Sequence, residues 1–287
     1  MRTRQKIALA LLLQLPNYPT RTKLIEWLFL LRQETHLKHD PTFYDFLPYR
    51  YGPFSFVAYR DFNALARDGF LDPKRLMIRE DQKGIVQRIV RTLPLKVMRA
   101  IDHILAQYGT LSNRALLQLV YDRYPWYASR SESRKTSSSP HVAPLAIYTI
   151  GYEGKSVDLF LNKLLMVGIQ RVIDIRNNPT SRKYGFSRSS LERLTRKIGI
   201  GYMSFPELGI DSTLRSDLKN STDFQQLLDY YDREILLEQF RTVEQVGRVL
   251  CKEASALMCF EADVHRCHRE RLAEKLAHLT GLRVVHL

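Results

Sequence analysis

The densest run of reactive side chains lies near the C-terminus, in Cys259-Phe-Glu261-Ala-Asp263-Val-His265-Arg-Cys267-His268-Arg269. An apolar strand pattern, Ala256 to Glu261, leads into it, and a helical pattern from about His268 to Leu279 leads out. Cys267, His268 and Arg269 therefore fall at a helix start, where free amides and the dipole stabilise anions and can lower a thiol pKa. Cys267 beside His268 suits a nucleophile, and Glu261 or Asp263 could act as acid or base. A second run, Asp174-Ile-Arg176-Asn-Asn-Pro179-Thr-Ser181-Arg182, follows another apolar strand. Asp174 and Arg176 share one side of that strand and could pair, which also places Asp174 among the catalytic candidates. Arg176, Ser181 and Arg182, with Pro179 in the same turn, could instead grip a phosphate or carboxylate. Gly151-Tyr152-Glu153-Gly154 ends an earlier strand, its glycines letting backbone approach a ligand closely, and Glu207 falls at a third strand end. Arg176 and Arg269 are expected to reach one shared pocket and hold one anion, so that either substitution by alanine removes binding and leaves the melting temperature nearly unchanged.

Cys259, His265, Cys267 and His268 invite a zinc reading, but no Cys-x-x-Cys pair is present and acids crowd the run, so no metal is expected. Cys259 reads as a small buried residue of its strand, and Cys251 as helix packing. There is no Walker-type phosphate loop and no Gly-x-Gly-x-x-Gly after the first strand, so no nucleotide cofactor is expected.

The elements that must position these groups read as two domains, natural for 287 residues. From Ile147 onward short apolar strands alternate with helices, at Ile147–Ile150, Ser156–Val167, Arg171–Arg176, Ser189–Ile198, Tyr202–Phe205, Phe224–Cys251, Ala256–Glu261, His268–Leu279 and Leu282–Leu287. That alternation predicts an α/β domain over 145–287, a mostly parallel sheet with helices on both faces that binds ligands at the carboxyl ends of its strands. Ala128-Ser-Arg-Ser-Glu-Ser-Arg-Lys-Thr-Ser-Ser-Ser-Pro140 is Ser-rich and lacks apolar periodicity, so 128–144 reads as a solvated linker. Residues 1–127 read as mainly helical: a first buried helix, a second capped by Thr20, a third from Ser55 to Arg67, then a hairpin whose strands, Leu76–Arg79 and Val86–Thr92, flank a turn at Asp81–Gly84, then helices Leu95–Gln107 and Ser112–Tyr121. Helices followed by a hairpin are the skeleton of a winged helix, and Arg60, Asn63 and Arg67 on the third helix are candidates for nucleic-acid contact. The aromatic residues Phe43, Tyr44, Phe46 and Tyr49 read as core.

The net charge is +14, a surplus that attracts phosphate polyanions. The basic start and apolar run Ile7–Leu15 imitate a secretory signal but lack a small-residue cleavage site and are too short to span a bilayer. With three cysteines, an odd count that suits reduced thiols, the reading is a cytoplasmic protein with no membrane association.

Thr149-Ile-Gly-Tyr-Glu-Gly154, Asp174-Ile-Arg-Asn-Asn-Pro-Thr-Ser181, Gly185-Phe-Ser187, Pro206-Glu-Leu-Gly209 and Cys259-Phe-Glu-Ala-Asp…Cys267-His-Arg269 together resemble the domain of unknown function 488 family, from about Ile147 to Leu287. The resemblance implies the same α/β sheet, with the cysteine, arginine and acidic motifs converging on one pocket, and no settled reaction. Ile210-Asp211 departs from the family's pattern, where a glycine or basic residue is expected. Lys23-Leu-Ile-Glu-Trp-Leu-Phe-Leu, Tyr49-Arg-Tyr-Gly-Pro53, Asn63-Ala-Leu-Ala-Arg-Asp-Gly-Phe70 and Leu116-Leu-Gln-Leu-Val-Tyr-Asp-Arg-Tyr-Pro125 resemble the Panacea (SocA-like antitoxin) domain, which implies recognition more than catalysis.

The expectation is a nucleic-acid-associated protein, with DNA ahead of RNA, whose α/β domain carries an enzyme-like pocket for a phosphate-bearing or other anionic small molecule. A hydrolase or transferase acting on a nucleotide or nucleic acid would fit. A non-catalytic DNA-binding regulator and an antitoxin-type adaptor are the alternatives, with a homo-oligomer or a protein partner engaged through the N-terminal domain.

Overall fold

Side-chain caps set the starts of three helices in the N-terminal unit. After α1 (Thr3–Leu13), which buries Ile7 through Leu12, the Thr20 hydroxyl accepts from the Lys23 N–H and opens α2 (Arg21–Glu34). Ser55 caps α3 (Phe56–Arg67) in the same way. Each cap satisfies a donor that a helix start leaves orphaned. The computed structural model describes residues 1–14, 19–133, 141–211, 213–215 and 221–287 and divides into two units, Met1–Ser138 and Ser139–Leu287.

The first unit is mainly helical, continuing with α4 (Lys83–Val90), α5 (Leu95–Tyr108), α6 (Asn113–Arg123) capped by Ser112, and α7 (Pro125–Ala128). The expected hairpin at 76–92 is corrected here, because its second strand is α4 and an isolated bridge, Leu71 with Ile78, stands where the first was expected. Val86 and Val90 are buried and Ile89 half-buried, a spacing of a helical face. Packing on that period outweighs the β-propensity of the branched residues. A hairpin does form earlier, from β1 (Leu47–Tyr49) and β2 (Gly52–Phe54), inside the aromatic segment. Gly52 closes its turn at φ +97°, a left-handed conformation that a side chain would also crowd against the Tyr121 ring. The hairpin thus precedes α3, whereas the winged-helix reading placed it after that helix. Phe43, Tyr44 and Phe46 are buried, as the sequence predicted.

The expected linker is shorter than 128–144. Ala128 and Ser131 are buried, Ser131 bonds the Tyr121 hydroxyl, and the Glu132 N–H donates to Arg50, so these residues belong to the first unit. Ala143 is buried and its N–H donates to Gly168 in the second unit. The Ser-rich stretch 134–140, with Arg134 and Lys135, lies outside the described residues.

The second unit is α/β. Its elements run β3 (Ile147–Gly151), α8 (Val157–Val167), β4 (Arg171–Asp174), α9 (Arg188–Lys197), β5 (Gly201–Ser204), α10 (Ser221–Tyr230), a π turn at Tyr231–Ile235, α11 (Leu236–Glu238), α12 (Phe240–Leu250), β6 (Ser255–Cys259), α13 (His268–Thr280) and β7 (Val284–His286). The five strands form one sheet in the order β5-β4-β6-β3-β7, with every pairing parallel. β3 and β6 are buried along their whole length, as strands covered on both faces must be. The single long helix expected over Phe224–Cys251 is broken by the π turn, where fully buried Tyr231 donates its hydroxyl to the Leu208 carbonyl. Insertion of β6 between β4 and β3 is what matters for the site. It aligns Gly151 with Cys259 and Asp174 with Met258, so three loops leave the sheet side by side.

Candidate functional site

Those loops surround a cavity of about 160 Å³, lined by Tyr152 after β3, Arg176, Asn177 and Asn178 after β4, Cys259 and Phe260 at the end of β6, His268 at the start of α13, and Ile210. This is the carboxyl edge of a parallel sheet, where open α/β folds place their ligands.

Arg176 is the cation of the cavity, and it is already held. Its Nε and Nη2 donate to the two oxygens of Asp174 at 2.8 and 2.6 Å, and its Nη1 donates to the Tyr152 hydroxyl. Tyr202 donates to the same carboxylate, on an aspartate with no exposed surface. Burial alone would lower the guanidinium pKa, but the bonds and charge of Asp174 outweigh it and hold Arg176 well above its ordinary value. Burial, then the Asp174 charge, pushes the Tyr202 hydroxyl up. Tyr152 is fixed by stacking on Phe186, ring centroids 4.2 Å apart. The expectation that Arg176→Ala leaves stability unchanged is therefore corrected: the substitution would strand a buried carboxylate.

Arg269 does not join Arg176. It is buried, donates to the carbonyls of Glu261 and Ala262, and does not line the cavity. Its work is to hold the loop after β6, against which Gly151 packs so closely that any side chain at 151 would overlap the Glu261 carbonyl. Glu153 is exposed and braces that loop from the other side, accepting from the Ala262 N–H. Ser181 sits in a turn tied to Ser187, and the Pro179 carbonyl caps the same segment by accepting from Arg188. Arg182 and Glu207 are exposed and do not line the cavity. Asn177, Asn178 and Phe260 do, although sequence reasoning passed over them; the asparagines follow Arg176 directly and Phe260 stands one residue before Glu261. Lys155 and Lys183 were also missed. They donate to the Gly151 and Tyr152 carbonyls, and burial followed by the charges of Lys163, Arg269 and Lys183 lowers the Lys155 pKa.

The nucleophile reading of Cys267 is corrected too. Cys267 is the residue before α13, but it is 1% exposed. Burial first, then its neighbour Cys259, pushes its thiol well above the ordinary range, overcoming His268. A helix N-terminus lowers a thiol pKa only where solvent or a counter-charge can support the thiolate. Native alkylation followed by mass spectrometry should label exposed Cys251 first, with Cys259 and Cys267 reacting only after denaturation. Native labelling of Cys267 at the rate of Cys251 would restore the nucleophile.

Glu261 is half-buried with an oxygen 3.1 Å from the Cys259 sulfur, and Cys267 and His268 are buried beside Cys259, so three of the four catalytic candidates cluster there and Asp174 serves Arg176. On α3, Asn63 and Arg67 are exposed, whereas Arg60 is half-buried and paired with Asp61.

The geometry defines a parallel α/β domain with a small cavity of mixed polar and apolar lining at its strand ends. Residues 156–276 of it match the family described as "Domain of unknown function DUF488". No curated protein and no solved structure matches the chain. Among the described residues no helix is long and apolar enough to cross a membrane.

Proposed function

We propose that the C-terminal domain holds a small anionic ligand in the cavity at its sheet edge, within a nucleic-acid-associated protein that favours DNA over RNA. One observation carries the reading: Tyr152, Arg176, Asn177, Asn178, Cys259, Phe260 and His268 come from separate strand ends to one cavity of about 160 Å³. A cavity of that size takes a phosphate, a carboxylate or one aromatic ring, about the space that holds a benzene, rather than a whole nucleotide. Lys155 and Lys183 donate to the Gly151 and Tyr152 carbonyls, so two cations stand on the loop that brings Tyr152 to the cavity. The +14 charge supplies the attraction to a polyanion that would carry such a group. The N-terminal unit, with its SocA-like resemblance, would be the recognition part.

The engagement of Arg176 by Asp174 and the burial of Cys267 favour a second reading of the same pocket, as a sensor rather than a hydrolase or transferase. Calorimetry with inorganic phosphate and nucleoside monophosphates tests the cavity; no heat from any of them removes the ligand reading. A gel shift with duplex and single-stranded DNA tests the polyanion. Retention should weaken by about 10³-fold or more between roughly 50 and 200 mM salt if several phosphates are contacted. No retention at low salt removes the nucleic-acid reading.

A further inference from the structure

We propose that Cys259, Cys267 and His268 form a binding site for a zinc ion, with the fourth coordination position open toward the cavity. The sequence spacing, Cys259 then Cys267-His268, lacks the Cys-x-x-Cys signature, and the fold supplies what the spacing hides. β6 ends at Cys259 and α13 begins at His268, so the intervening loop turns back and lays three donors against one another. Their ligand atoms all lie within 4.8 Å of each other, and the residues are 2%, 1% and 1% exposed.

The distances suit four-coordinate zinc. Metal–ligand bonds of about 2.0 to 2.3 Å give a tetrahedron with edges of about 3.3 to 3.8 Å, about 3.8 Å between two sulfurs and about 3.5 Å between sulfur and nitrogen. Cys259 Sγ stands 3.9 Å from His268 Nδ1. Contraction of at most about 1.3 Å brings the widest separation, within 4.8 Å, to a tetrahedral edge.

The imidazole is oriented for the task. His268 Nε2 lies 3.2 Å from the Ile175 carbonyl, an acceptor, so Nε2 carries the proton and donates. Nδ1 then turns its lone pair toward the thiols, the arrangement by which a second hydrogen bond fixes a metal-binding histidine. Two small thiols in a core need no further account, but a buried imidazole aimed at both of them does.

The donor set selects the ion. Two thiolates and an imidazole suit zinc, and they exclude magnesium and calcium. Two thiolate charges cancel a divalent cation, so the loaded site buries no net charge. Cys259 and His268 line the cavity, which provides an entry path and leaves one side of the ion for water or a ligand. Glu261, with an oxygen 3.1 Å from Cys259 Sγ, is the neighbouring carboxylate.

The site does not depend on the anion reading and is tested with no anion ligand present. The full chain, purified under reducing conditions and stripped with a chelator, is titrated with Co²⁺ and then with Zn²⁺. The expected result is one cobalt per chain, a thiolate-to-cobalt charge-transfer band in the near ultraviolet, the visible bands of four-coordinate cobalt, and their loss when zinc is added. Cys259→Ser and Cys267→Ser should each weaken cobalt binding by at least about tenfold. Cys251→Ser, at an exposed position, should leave binding unchanged. No charge-transfer band in the wild-type chain overturns the proposal, as does a band that survives both serine variants or disappears in Cys251→Ser. If a serine variant does not fold, X-ray absorption of the wild-type cobalt form decides. A shell containing two sulfurs supports the site, and a shell of oxygen and nitrogen alone overturns it.

Discussion

Replacing Asp174 with alanine should lower the stability of the C-terminal domain by about 3–5 kcal/mol, the range for removing one partner of a buried ion pair. Asp174 has no exposed surface, and its carboxylate accepts from Arg176 Nε and Nη2, from the Arg176 backbone N–H and from the Tyr202 hydroxyl. Alanine leaves a guanidinium buried without its counter-charge and removes the acceptor of two neighbouring groups at once. In a domain of this size each kcal/mol moves the midpoint by roughly 2–4 °C, so the fall should be close to 10 °C or more. Far-ultraviolet circular dichroism across a thermal or denaturant transition measures it. The double variant Asp174→Ala with Arg176→Met should recover much of the loss, because an apolar side chain of similar length needs no counter-ion. A loss under about 1 kcal/mol in the single variant would mean that Arg176 finds other partners, and that its charge is available to a ligand after all.

The C-terminal strands were legible because each is a short, β-branched or apolar run bounded by glycine or polar turns. Ile147–Gly151, Arg171–Asp174 and Ser255–Cys259 lie within a residue or two of the expected segments. Their convergence was legible as well, since parallel strands open their loops on one edge. What did not show in the sequence was which side chains remain available at that edge. The pairing of Asp174 with Arg176 was weighed, but its completeness depends on Tyr152 and Tyr202, which come from other strands. The fate of Arg269 depends on two backbone carbonyls of a loop whose path no motif specifies. Cys267 has the sequence position of an activated thiol and the burial of a core residue, and only packing separates the two. At residues 83–90 the error was one of period: Val86, Ile89 and Val90 fit a helix face, and their β-branched character drew the strand reading.

The N-terminal unit should lose stability steadily as pH rises from about 4.5 to about 8, because of one glutamate. Glu26 lies in α2 at 1% exposure, and both of its carboxylate oxygens are buried without a hydrogen-bond partner. Burial raises its pKa from 4.5 to about 8, with only partial relief from Lys23. The folded pKa is the higher one, so between those values the unfolded chain is ionised while the folded chain still holds its proton. Stability is complete below about 4.5, falls through that window, and levels off above about 8. A gap of that size corresponds to roughly 4–5 kcal/mol when ionisation is complete. Both tryptophans, Trp27 and Trp126, belong to this unit, so their fluorescence follows its unfolding separately from that of the C-terminal domain. Glu26→Gln cannot ionise and should flatten the dependence, matching the wild type near pH 4 and exceeding it by several kcal/mol near pH 8. Glu26→Leu should do the same and add the benefit of filling the site with apolar surface. Parallel pH profiles for the wild type and Glu26→Gln would mean that the carboxylate meets water or a cation in solution, and the buried-acid account of α2 would be abandoned.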